Sequence, residues 1–497
     1  MWYQKWLLPL LVAGASAAPA STASAAKDSV SSVVKNGVKY TVFEHAATGA
    51  KMEFVKNSGI CETTPGVNQY SGYLSVGNNM NMWFWFFEAR NNPKQAPLAA
   101  WFNGGPGCSS MIGLFQEHGP CHFVNGEDTP SLNENSWNNY ANMLYIDQPI
   151  GVGFSYGTDD VTSTVTAAPY VWKLLQAFYA QFPEYESRDF AIFTESYGGH
   201  YGPEFASYIQ KQNAAIKAGT VSGENINLVA LGVNNGWFDS AIQEKAYIDF
   251  SYNNTYKKLI SSSDSTRLLS VYNSQCLPAI QKCTTTGTNA ACRNADSVCY
   301  NNIEGPISNS GDWDVYDIRQ PRDDPYPPAT YSTYLTNPDV VKAIGARTTY
   351  QECPNGPYNK FSQTGDTDDV DPRSFLSTLS DVVKSGINVI VWAGDADWIC
   401  NWIGNYEVAN AVDFPGHATF KSKGLAPYTV NGVEKGTFKY VDNFSFLRVY
   451  GAGHEVPYYR ESSLLLNVVN ANMSFVEPEA SLQVFKQILQ KKPIFST

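Results

Sequence analysis

One stretch organises the chain: Ile192-Phe193-Thr194-Glu195-Ser196-Tyr197-Gly198-Gly199. Apolar residues from Phe190 onward lead into it, and a helical pattern that includes Pro203 and Phe205 follows it. Strand, tight turn and helix form the context of a nucleophile elbow, in which a strained turn holds a serine hydroxyl clear of the sheet. The usual pattern is G-x-S-x-G, and here Thr194 replaces the first glycine while Gly198 keeps the last. A short match of this kind is weak alone, so the rest of the chain must support it.

Short apolar runs on both sides of this stretch predict a buried, largely parallel sheet, because strands covered on both faces do not alternate. The predicted strands are 38–43, 82–87, 98–102, 143–146, 190–193, 228–233, 389–392 and 446–450. Helical patterns lie at 171–182, after Gly199, at 375–384 and at 482–489. Strands that alternate with helices place the helices on both faces of the sheet. Together with the elbow, this order predicts the α/β class and the α/β-hydrolase fold.

The alternation breaks between Ser240 and Asp371. This segment is rich in Ser, Asn, Thr, Tyr and Pro and holds four closely spaced cysteines, so it predicts an inserted, disulfide-stapled cap over the carboxyl edge of the sheet. The chain then divides into a signal peptide at 1–17, an N-terminal segment at 18–55, a first core part at 56–239, the cap at 240–371 and a second core part at 372–497. The tract at 18–26 is predicted to be disordered, with a short pro-segment as the alternative.

The N-terminus has the pattern of a secretory signal. Lys5 supplies a positive charge, residues 6–12 are apolar, and Ala15-Ser16-Ala17 offers a small-residue cleavage site. The apolar part is too short to span a bilayer, and no later stretch is long enough. These features predict a secreted, extracellular protein, with a vacuole as the alternative destination.

Composition and net charge restrict the classes of partner that the protein is expected to bind. The 497 residues carry a net charge of −12 without any block of like charges, which argues against nucleic acid or an anionic membrane as a partner. Nine cysteines in a secreted chain are candidates for disulfides, and an odd number leaves at least one outside the bridges of the chain. Three glycosylation sequons, at Asn253, Asn443 and Asn472, are typical of the same compartment. The sequence leaves the oligomeric state open.

An elbow serine needs a base, and in α/β-hydrolases the order along the chain is Ser, then Asp or Glu, then His. Only His417 and His454 lie well downstream of Ser196. His454 directly follows the last predicted strand, whereas His417 lies in a polar loop, so His454 is the predicted base. His200, in the first turn of the elbow helix, is interpreted as a packed or surface residue.

The acid that orients this base is expected after the strand 389–392. The sequence Gly394-Asp395-Ala396-Asp397 supplies two carboxylates there. Loops after parallel strands meet at one edge of a sheet, so either aspartate could reach the elbow. Position alone does not choose between Asp395 and Asp397.

An oxyanion hole needs two backbone N–H donors near the nucleophile. One is the amide of the next residue, Tyr197, and the second comes from a glycine loop after an early strand. Asn103-Gly104-Gly105-Pro106-Gly107 follows the strand 98–102 and has this position. The loop is not a phosphate-binding loop, because no Gly-Lys-Ser/Thr follows, and His454-Glu455 is not a zinc motif, because no second histidine stands at i+4. The sequence therefore predicts neither a metal nor a cofactor.

Four separated motifs in this order resemble the serine carboxypeptidases, in particular a fungal secreted branch related to carboxypeptidase Y. They are Trp101–Ser110, Thr194–Gly199, Gly394–Asp397 and Gly453-His454. The resemblance runs from about residue 55 to the C-terminus. It implies Ser196, Asp397 and His454 as the catalytic triad and the amides of Gly105 and Tyr197 as the oxyanion hole. It also implies a set of residues that binds the terminal carboxylate of a substrate: Trp101, Asn103, Glu117 and Glu195.

The resemblance has further implications for the cysteines and the substrate pockets. The implied bridges are Cys276–Cys299, Cys283–Cys292 and Cys108–Cys353, and Cys400 is implied to be a buried thiol near the active site. Cys61–Cys121 is the pair that these assignments leave. Glu455 departs from some relatives, which carry an apolar residue beside the catalytic histidine. Glu455 adjoins His454, so it is expected near the pocket for the leaving residue, where it would favour or at least tolerate a C-terminal Lys or Arg. Trp237 matches a position that lines the pocket of the preceding residue in relatives, so it is the second expected specificity residue.

Three functions share this pattern. The first is a serine-type carboxypeptidase that removes C-terminal residues of peptides and proteins through an acyl-enzyme. The second is an acyltransferase or esterase on the same fold, which would have no use for the carboxylate-binding set. The third is a catalytically inactive binding protein of the same fold, which would be expected to lack a triad member. For the first function, two glutamates that bind a carboxylate predict an acidic optimum, about pH 4 to 6, since only their protonated forms can donate to it.

Overall fold

The computed structural model describes residues 28–44, 51–124, 127–323, 327–366, 371–458 and 477–497. Within these ranges the strands are β1 (Ser29–Lys35), β2 (Val38–Glu44), β3 (Lys51–Lys56), β4 (Gln69–Gly77), β5 (Met80–Phe87), β6 (Leu98–Phe102), β7 (Cys121–His122), β8 (Ser131–Leu132), β9 (Asn142–Asp147), β10 (Tyr156–Gly157), β11 (Phe190–Glu195), β12 (Leu228–Asn234), β13 (Asn388–Gly394), β14 (Ala426–Val430), β15 (Val433–Val441) and β16 (Phe444–Val449).

The α-helices of the same ranges alternate with these strands in the two core parts and follow one another in the insertion. They are α1 (Thr164–Gln181), α2 (Gly198–Lys217), α3 (Ser240–Asn253), α4 (Ser262–Val271), α5 (Leu277–Thr286), α6 (Asn289–Cys299), α7 (Gly305–Ser308), α8 (Thr330–Tyr334), α9 (Pro338–Ile344), α10 (Asn355–Thr364), α11 (Leu376–Lys384), α12 (Trp402–Ala411), α13 (His417–Ser422) and α14 (Glu477–Leu489). Among the described helices, none is both long enough and apolar enough to cross a membrane.

One large sheet runs through the molecule, and its centre is parallel. Its strands follow the order β1-β2-β3-β4-β5-β9-β6-β11-β12-β13-β16-β15-β14, with β10 paired to β5. Strands β9, β6, β11, β12, β13 and β16 are parallel, whereas the strands on both flanks pair antiparallel. The carboxyl ends of parallel strands meet at one edge, where α/β folds place their sites. Ser196, Asp397 and His454 each follow such an end, after β11, β13 and β16.

Both faces of this sheet are covered, which explains the continuous apolar runs in the sequence. In β5, Phe84 and Phe86 belong to the core under α1, α2, α11, α12 and α13, while Trp83 and Trp85 belong to the core under α8, α9 and α14. None of these four side chains is exposed. The predicted mostly parallel sheet with helices on both faces is confirmed.

The insertion between β12 and α11 contributes helices α3 to α10 and, among its described residues, no strand. Its first part has a hydrophobic core of its own, to which Tyr247, Ile280, Ile303 and Trp313 belong. Trp398, from the loop after β13, belongs to the same core. The first part of the insertion is therefore packed around the loop that carries Asp397.

The last part of the insertion lies elsewhere. Tyr331, Leu335 and Ile344, on α8, α9 and the turn between them, belong to the core on one face of the sheet. Ser71 Oγ on β4 donates to the carbonyl of Ile344 at 2.7 Å. The predicted cap over the carboxyl edge therefore does not include α8 and α9, which cover a face of the sheet.

The N-terminal segment at 18–55 does not stand apart from the sheet where the structure describes it. Strands β1, β2 and β3 extend the sheet on its antiparallel flank, and Phe43, Met52 and Phe54 are buried in the core under α1. The signal peptide at 1–17 and the tract at 18–26 lie outside the described residues. The division of the chain at 17, 55, 239 and 371 otherwise stays a prediction.

Candidate active site

The turn after β11 has the geometry of a nucleophile elbow. Ser196 takes a left-handed conformation with φ 62°, which is strained for any residue other than glycine. Its carbonyl accepts hydrogen bonds from the amides of Gly199 and Trp237, both at 2.9 Å. Ser196 is half-buried, whereas Glu195 and Tyr197 on either side are buried. The turn therefore leaves Ser196 partly accessible while the residues on either side of it are buried.

Thr194 takes the place of the first glycine of the elbow because two glycines of α2 make room for it. A Cβ on Gly198 would lie 2.5 Å from the Cβ of Thr194, and one on Gly202 would lie 2.9 Å from its Oγ1. Thr194 Oγ1 donates to the carbonyl of Gly198 at 2.8 Å. The hydroxyl thus ties the strand to the start of the helix.

The glycine loop after β6 comes directly against the elbow. A Cβ on Gly104 would lie 2.5 Å from the amide nitrogen of Tyr197 and 2.8 Å from the Cβ of Ser196, so only glycine permits this approach. Gly105 has φ +112°, a conformation that favours glycine as well. The amides of Gly105 and Tyr197 therefore belong to two segments that meet at the nucleophile, as an oxyanion hole requires.

A buried carboxyl group supports this loop from below. Asp147, at the end of β9, accepts from Ser109 Oγ at 2.6 Å, from the amide of Ser110 at 3.1 Å and from the amide of Phe154 at 3.0 Å. Burial raises the pKa of Asp147 to about 7. No local sequence pattern marks this contact, since Asp147 lies about forty positions from the loop that it supports.

His454 and Asp397 are in direct contact. His454 Nδ1 lies 3.0 Å from Asp397 Oδ2, and both residues are buried. Asp397 Oδ2 also accepts from Asn235 Nδ2 at 2.7 Å and from the amide of Cys400 at 3.1 Å, while Oδ1 accepts from the amide of Ile399 at 3.2 Å. These donors hold the carboxylate in one orientation. The contact through Nδ1 leaves Nε2 of His454 as the nitrogen that can take the proton of Ser196.

The second aspartate of the pair is engaged elsewhere. Asp395 Oδ2 accepts from Arg448 Nη2 at 2.9 Å, and Oδ1 accepts from the amide of Gly451 at 3.0 Å. The hydroxyl of Tyr256 donates to the same Oδ1. The alternative that the sequence left open is thereby decided in terms of contacts: Asp397 faces His454, and Asp395 pairs with Arg448.

The four residues of the implied carboxylate-binding set form one connected cluster. Trp101 Nε1 donates to Asn103 Oδ1 at 2.6 Å, and Asn103 Nδ2 lies 3.4 Å from Glu117 Oε1 and 3.2 Å from Glu195 Oε1. Asn234 Nδ2 donates to the other oxygen of Glu195 at 2.7 Å. Glu195 directly precedes the nucleophile, so the cluster lies beside the reacting group.

The two glutamates of this cluster favour their protonated forms. Burial raises the pKa of Glu117 and of Glu195 well above the usual range, and the negative charges of neighbouring glutamates raise both further. Asn103 Nδ2 lies within 3.4 Å of one oxygen of each carboxyl group, so the two acids lie side by side. Within the described ranges, the buried Oε2 of Glu117 has no hydrogen-bond partner. The cluster thus holds buried polar atoms that a ligand could satisfy.

Glu455 adds a third acid on the same side. It lines the cleft, and its buried Oε2 receives no hydrogen bond from the part of the chain that the structure describes. Burial raises the pKa of its carboxyl well above the usual range, and the charges of Glu195 and Glu352 act in the same direction. A role of Glu455 in choosing the leaving residue stays a prediction.

Trp237 has a packing position instead of a cleft-lining one. It is completely buried, its ring stacks on Tyr247 with centroids 5.7 Å apart, and its Nε1 donates to the carbonyl of Asp371 at 3.2 Å. Its backbone lies against Gly199, where a Cβ would come within 2.3 Å of the Trp237 carbonyl oxygen. A role of Trp237 in choosing substrates stays a prediction, and the structure gives it no support.

A cleft of about 420 Å³ opens at this edge of the sheet. The glycine loop lines it, together with Ser196, His454, Glu195 and Glu455. Residues of the insertion line it as well, and among them are Tyr316 and Glu352. The ring of Tyr316 meets the imidazole of His454 edge to face, with centroids 5.1 Å apart. Sequence reasoning missed these two insertion residues, because they lie in an irregular segment without a motif.

Sequence reasoning also missed Asn234 and Asn235, which hold Glu195 and Asp397. A signal for them existed: both stand at the carboxyl end of β12, between the strands that carry the nucleophile and the acid. Polar residues at such an end are candidates for a site, since parallel strands deliver their ends to one edge.

The disulfides agree with the implied pairs: Cys61–Cys121, Cys108–Cys353, Cys276–Cys299 and Cys283–Cys292. Cys400 is outside these bridges and is buried. The second bridge ties the glycine loop to the end of the insertion, and the last two lie within the insertion. The group of Glu244, Cys276 and Cys299 is no metal site, since both cysteines are bridged.

The glycosylation sequons differ in their surroundings. Asn253 is exposed at the end of α3. Asn443 is half-buried, and its Nδ2 donates to the carbonyls of Val383 at 2.9 Å and Ile387 at 2.5 Å, so the folded protein already uses its amide group. Asn472 lies outside the described residues.

The chain is similar to known proteins in sequence and in fold. Residues 59–471 match the family described as serine carboxypeptidase. The chain belongs to the serine carboxypeptidase family. It is 79% identical to carboxypeptidase S1 of Penicillium janthinellum over 444 residues. The match covers 89% of this chain and 100% of that relative. It is 36% identical to carboxypeptidase Y of Schizosaccharomyces pombe, over 84% of this chain and 40% of that one.

A solved structure is similar in fold. The prohormone-processing carboxypeptidase of Saccharomyces cerevisiae superimposes with a TM-score of 0.67 at 26% identity, covering 81% of this chain and 90% of that one. The chain therefore has the α/β-hydrolase fold that the elbow predicted, and it is an enzyme, a serine-type carboxypeptidase.

Proposed function

We propose that this serine carboxypeptidase removes C-terminal residues of peptides and proteins through an acyl-enzyme on Ser196. The observation that carries the proposal is the cluster of Glu117, Glu195 and Asn103, which lies beside the nucleophile and holds a buried carboxyl oxygen that has no hydrogen-bond partner in the described chain and can donate when it is protonated. A site for a terminal carboxylate next to the reacting serine limits cleavage to the last peptide bond. An esterase acting on small uncharged esters would gain nothing from such a cluster.

The triad performs the bond exchange. Ser196 Oγ attacks the carbonyl carbon of the last peptide bond while Nε2 of His454 takes its proton and then passes it to the leaving amine. Asp397 orients the imidazole through Nδ1 and stabilises its cationic form. The amides of Gly105 and Tyr197 bind the oxyanion that forms in between. Water then releases the shortened peptide from Ser196 by the same steps.

The glutamates bind the terminal carboxylate as neutral acids. Two ionised carboxylates would repel it, whereas protonated ones donate hydrogen bonds. The raised pKa values of Glu117 and Glu195 keep them protonated in weak acid. Substrate binding is then strongest at acidic pH and weakens as the pH rises through these pKa values, which is the basis of the acidic optimum.

Glu455 selects the leaving residue. A C-terminal Lys or Arg brings a positive charge to this carboxyl, and a nearby cation favours its ionised form in spite of burial. The neighbouring Glu352 adds negative charge at the same side of the cleft. Basic leaving residues are therefore accepted, and the preference for them grows with pH.

The chain enters the secretory pathway. The signal pattern at 1–17 and the four disulfides support this inference, because disulfides persist in oxidising compartments. Localisation of a tagged full-length chain would distinguish the two possible destinations, outside the cell and in a vacuole.

Two measurements test the function. The first is labelling with a fluorophosphonate that reacts with activated serines, using Ser196→Ala as the matched control. The second is the profile of amino acids released from a peptide pool with free or amidated C-termini. We expect labelling that depends on Ser196 and sequential release from free C-termini. Labelling without any release of amino acids would point to an esterase or acyltransferase, and no labelling of the folded protein would refute the proposal.

A further inference from the structure

The side chain of Tyr197 ends in a buried polar cluster that the triad does not use. Its hydroxyl donates to Asp371 Oδ2 at 2.8 Å and accepts from Thr164 Oγ1 at 3.1 Å. All three residues are completely buried. Tyr197 is also the residue whose amide belongs to the oxyanion hole of the proposed function. The backbone of Tyr197 thus belongs to the proposed oxyanion hole, while its side chain belongs to the buried polar cluster.

The orientation of Asp371 is itself fixed. Its Oδ1 accepts from the amide of Arg373 at 2.8 Å, and its carbonyl accepts from Trp237 Nε1 at 3.2 Å. The Nε2 of His200 lies 3.3 Å from the same Oδ2 that Tyr197 uses. The carboxyl that receives the tyrosine hydroxyl is therefore part of a rigid group and not a mobile acceptor.

The ring of Tyr197 is held as firmly as its hydroxyl. It stacks on His200 with centroids 4.7 Å apart, and the ring of Tyr201 meets it edge to face at 5.1 Å. The preceding residue, Ser196, is in a strained left-handed conformation. A strained turn persists only where its surroundings fix it, and the anchored ring of Tyr197 stands directly after this one.

We propose that Asp371 is a positioning residue for catalysis: by holding the hydroxyl of Tyr197, it fixes the Tyr197 amide in the oxyanion hole. The inference rests on the proposed function, since it assumes that this amide binds the oxyanion. Oxyanion stabilisation depends on donors that are in place before charge develops, so a small displacement lowers the rate of the chemical step. The end of the insertion thereby takes part in building the catalytic edge of the sheet.

Tyr197→Phe removes only the hydroxyl and keeps the packed ring. We expect kcat to fall by about 10-fold, less than the roughly 100-fold or more that follows removal of an oxyanion donor. KM for a free-acid peptide should change less than about two-fold, because the carboxylate-binding cluster is untouched. Asp371→Asn should give a similar loss, and the double variant should lose no more than the larger single one, since the two act as a unit.

The matched control is Tyr428→Phe. Tyr428 is a buried tyrosine on β14, and its hydroxyl is bonded to Gln483 and Gln487, away from the cleft. This change should lower the thermal midpoint to a similar degree and leave kcat unaltered. Loss of a buried hydroxyl as such is thereby separated from loss of positioning.

The decisive readout is inhibition by a peptide aldehyde. Ser196 Oγ adds to the aldehyde carbon, and the former carbonyl oxygen then occupies the oxyanion hole, so affinity reports the hole directly. We expect the inhibition constant of Tyr197→Phe to rise by the same factor by which kcat falls, while inhibition by the product amino acid stays constant. A folded Tyr197→Phe protein with unchanged kcat and unchanged aldehyde inhibition would show that the cluster only stabilises the fold. Wild-type protein that neither turns over peptide nor binds the aldehyde would instead refute the proposed function.

Discussion

The carboxyl edge of the parallel sheet and the insertion both line the cleft, but they do so by different means. Ser196, Asp397 and His454 stand at most five residues beyond the ends of β11, β13 and β16, in turns that backbone hydrogen bonds fix. Tyr316 and Glu352 stand on irregular segments of the insertion. In the proposed function, the sheet edge supplies the reacting groups, whereas the insertion shapes the space around them and supports them through Asp371.

The largest effect is expected at the sheet edge. Ser196→Ala removes the nucleophile, and since triad members act as a unit, kcat should fall by about 10⁴-fold or more. Single-turnover and steady-state assays on protein purified away from host peptidases measure this. Near-native turnover in the folded variant would show that Ser196 is not the nucleophile. It would also contradict the proposal that the sheet edge supplies the reacting groups.

The next effect separates two residues of that same edge. Asp397→Asn should lower kcat by about 10³- to 10⁴-fold, because an amide stabilises the wrong tautomer of His454. Asp395→Asn disturbs Arg448 and the turn at Gly451 instead, and should cost roughly 10-fold or less. Both variants keep the size of the side chain, so each is the control of the other. The reverse ranking would contradict the contacts described above.

A smaller effect is expected where the cleft chooses its leaving residue. Glu455→Met should lower the preference for C-terminal Lys over C-terminal Leu by roughly 10-fold, through loss of charge pairing, and leave kcat for Leu substrates near its original value. Glu455→Gln keeps the shape without the charge and should act in the same direction. The ratio of kcat/KM for matched peptides measures the preference. An unchanged ratio in both variants would remove Glu455 from the specificity residues.

The smallest effect on catalysis is expected at the disulfide-bridged helices α5 and α6 of the insertion. Replacing Cys283 and Cys292 by serine opens the inner bridge at the α5–α6 pair, away from the triad. The free energy of unfolding should fall by about 2–3 kcal/mol, as for other native bridges, while kcat at low temperature stays within about two-fold. Denaturant unfolding and activity on the same sample test both parts. A loss of kcat comparable to that of Asp397→Asn would show that α5 and α6 also support the reacting groups.

The sequence predicted the centre of the sheet well and its flanks poorly, for a physical reason. Strands such as β5, β6 and β13 are buried on both faces and read as continuous apolar runs. Strand β1 is almost entirely exposed, so no hydrophobic pattern marked it. Likewise, the antiparallel hairpin of β14 and β15 alternates with lysine, glutamate and threonine, which resembles a polar loop.

The residues of the candidate site also fall into those that a local sequence pattern predicts and those that it does not. The elbow and the glycine loop have motifs because close backbone approach demands glycine at fixed positions, as Gly104 illustrates. The choice of Asp397 over Asp395 came from a family resemblance, and physically it depends on donors such as Asn235 that lie over 160 positions away. Contacts across such distances leave no local pattern. The same holds for Asp371 and Tyr197.

Recognition of a terminal carboxylate by neutral glutamates beside Ser196 is tested by the pH dependence of KM. KM would be measured from about pH 4.5 to 8 for one peptide with a free C-terminus and for its C-terminal amide, in wild type and in Glu117→Gln. Because the raised pKa values keep Glu117 and Glu195 protonated in weak acid, KM for the free acid should rise by about 10-fold or more as both groups lose their protons. KM for the amide should stay nearly constant, and Glu117→Gln, which donates without ionising, should flatten the rise. The same pH profile for both substrates would contradict the account.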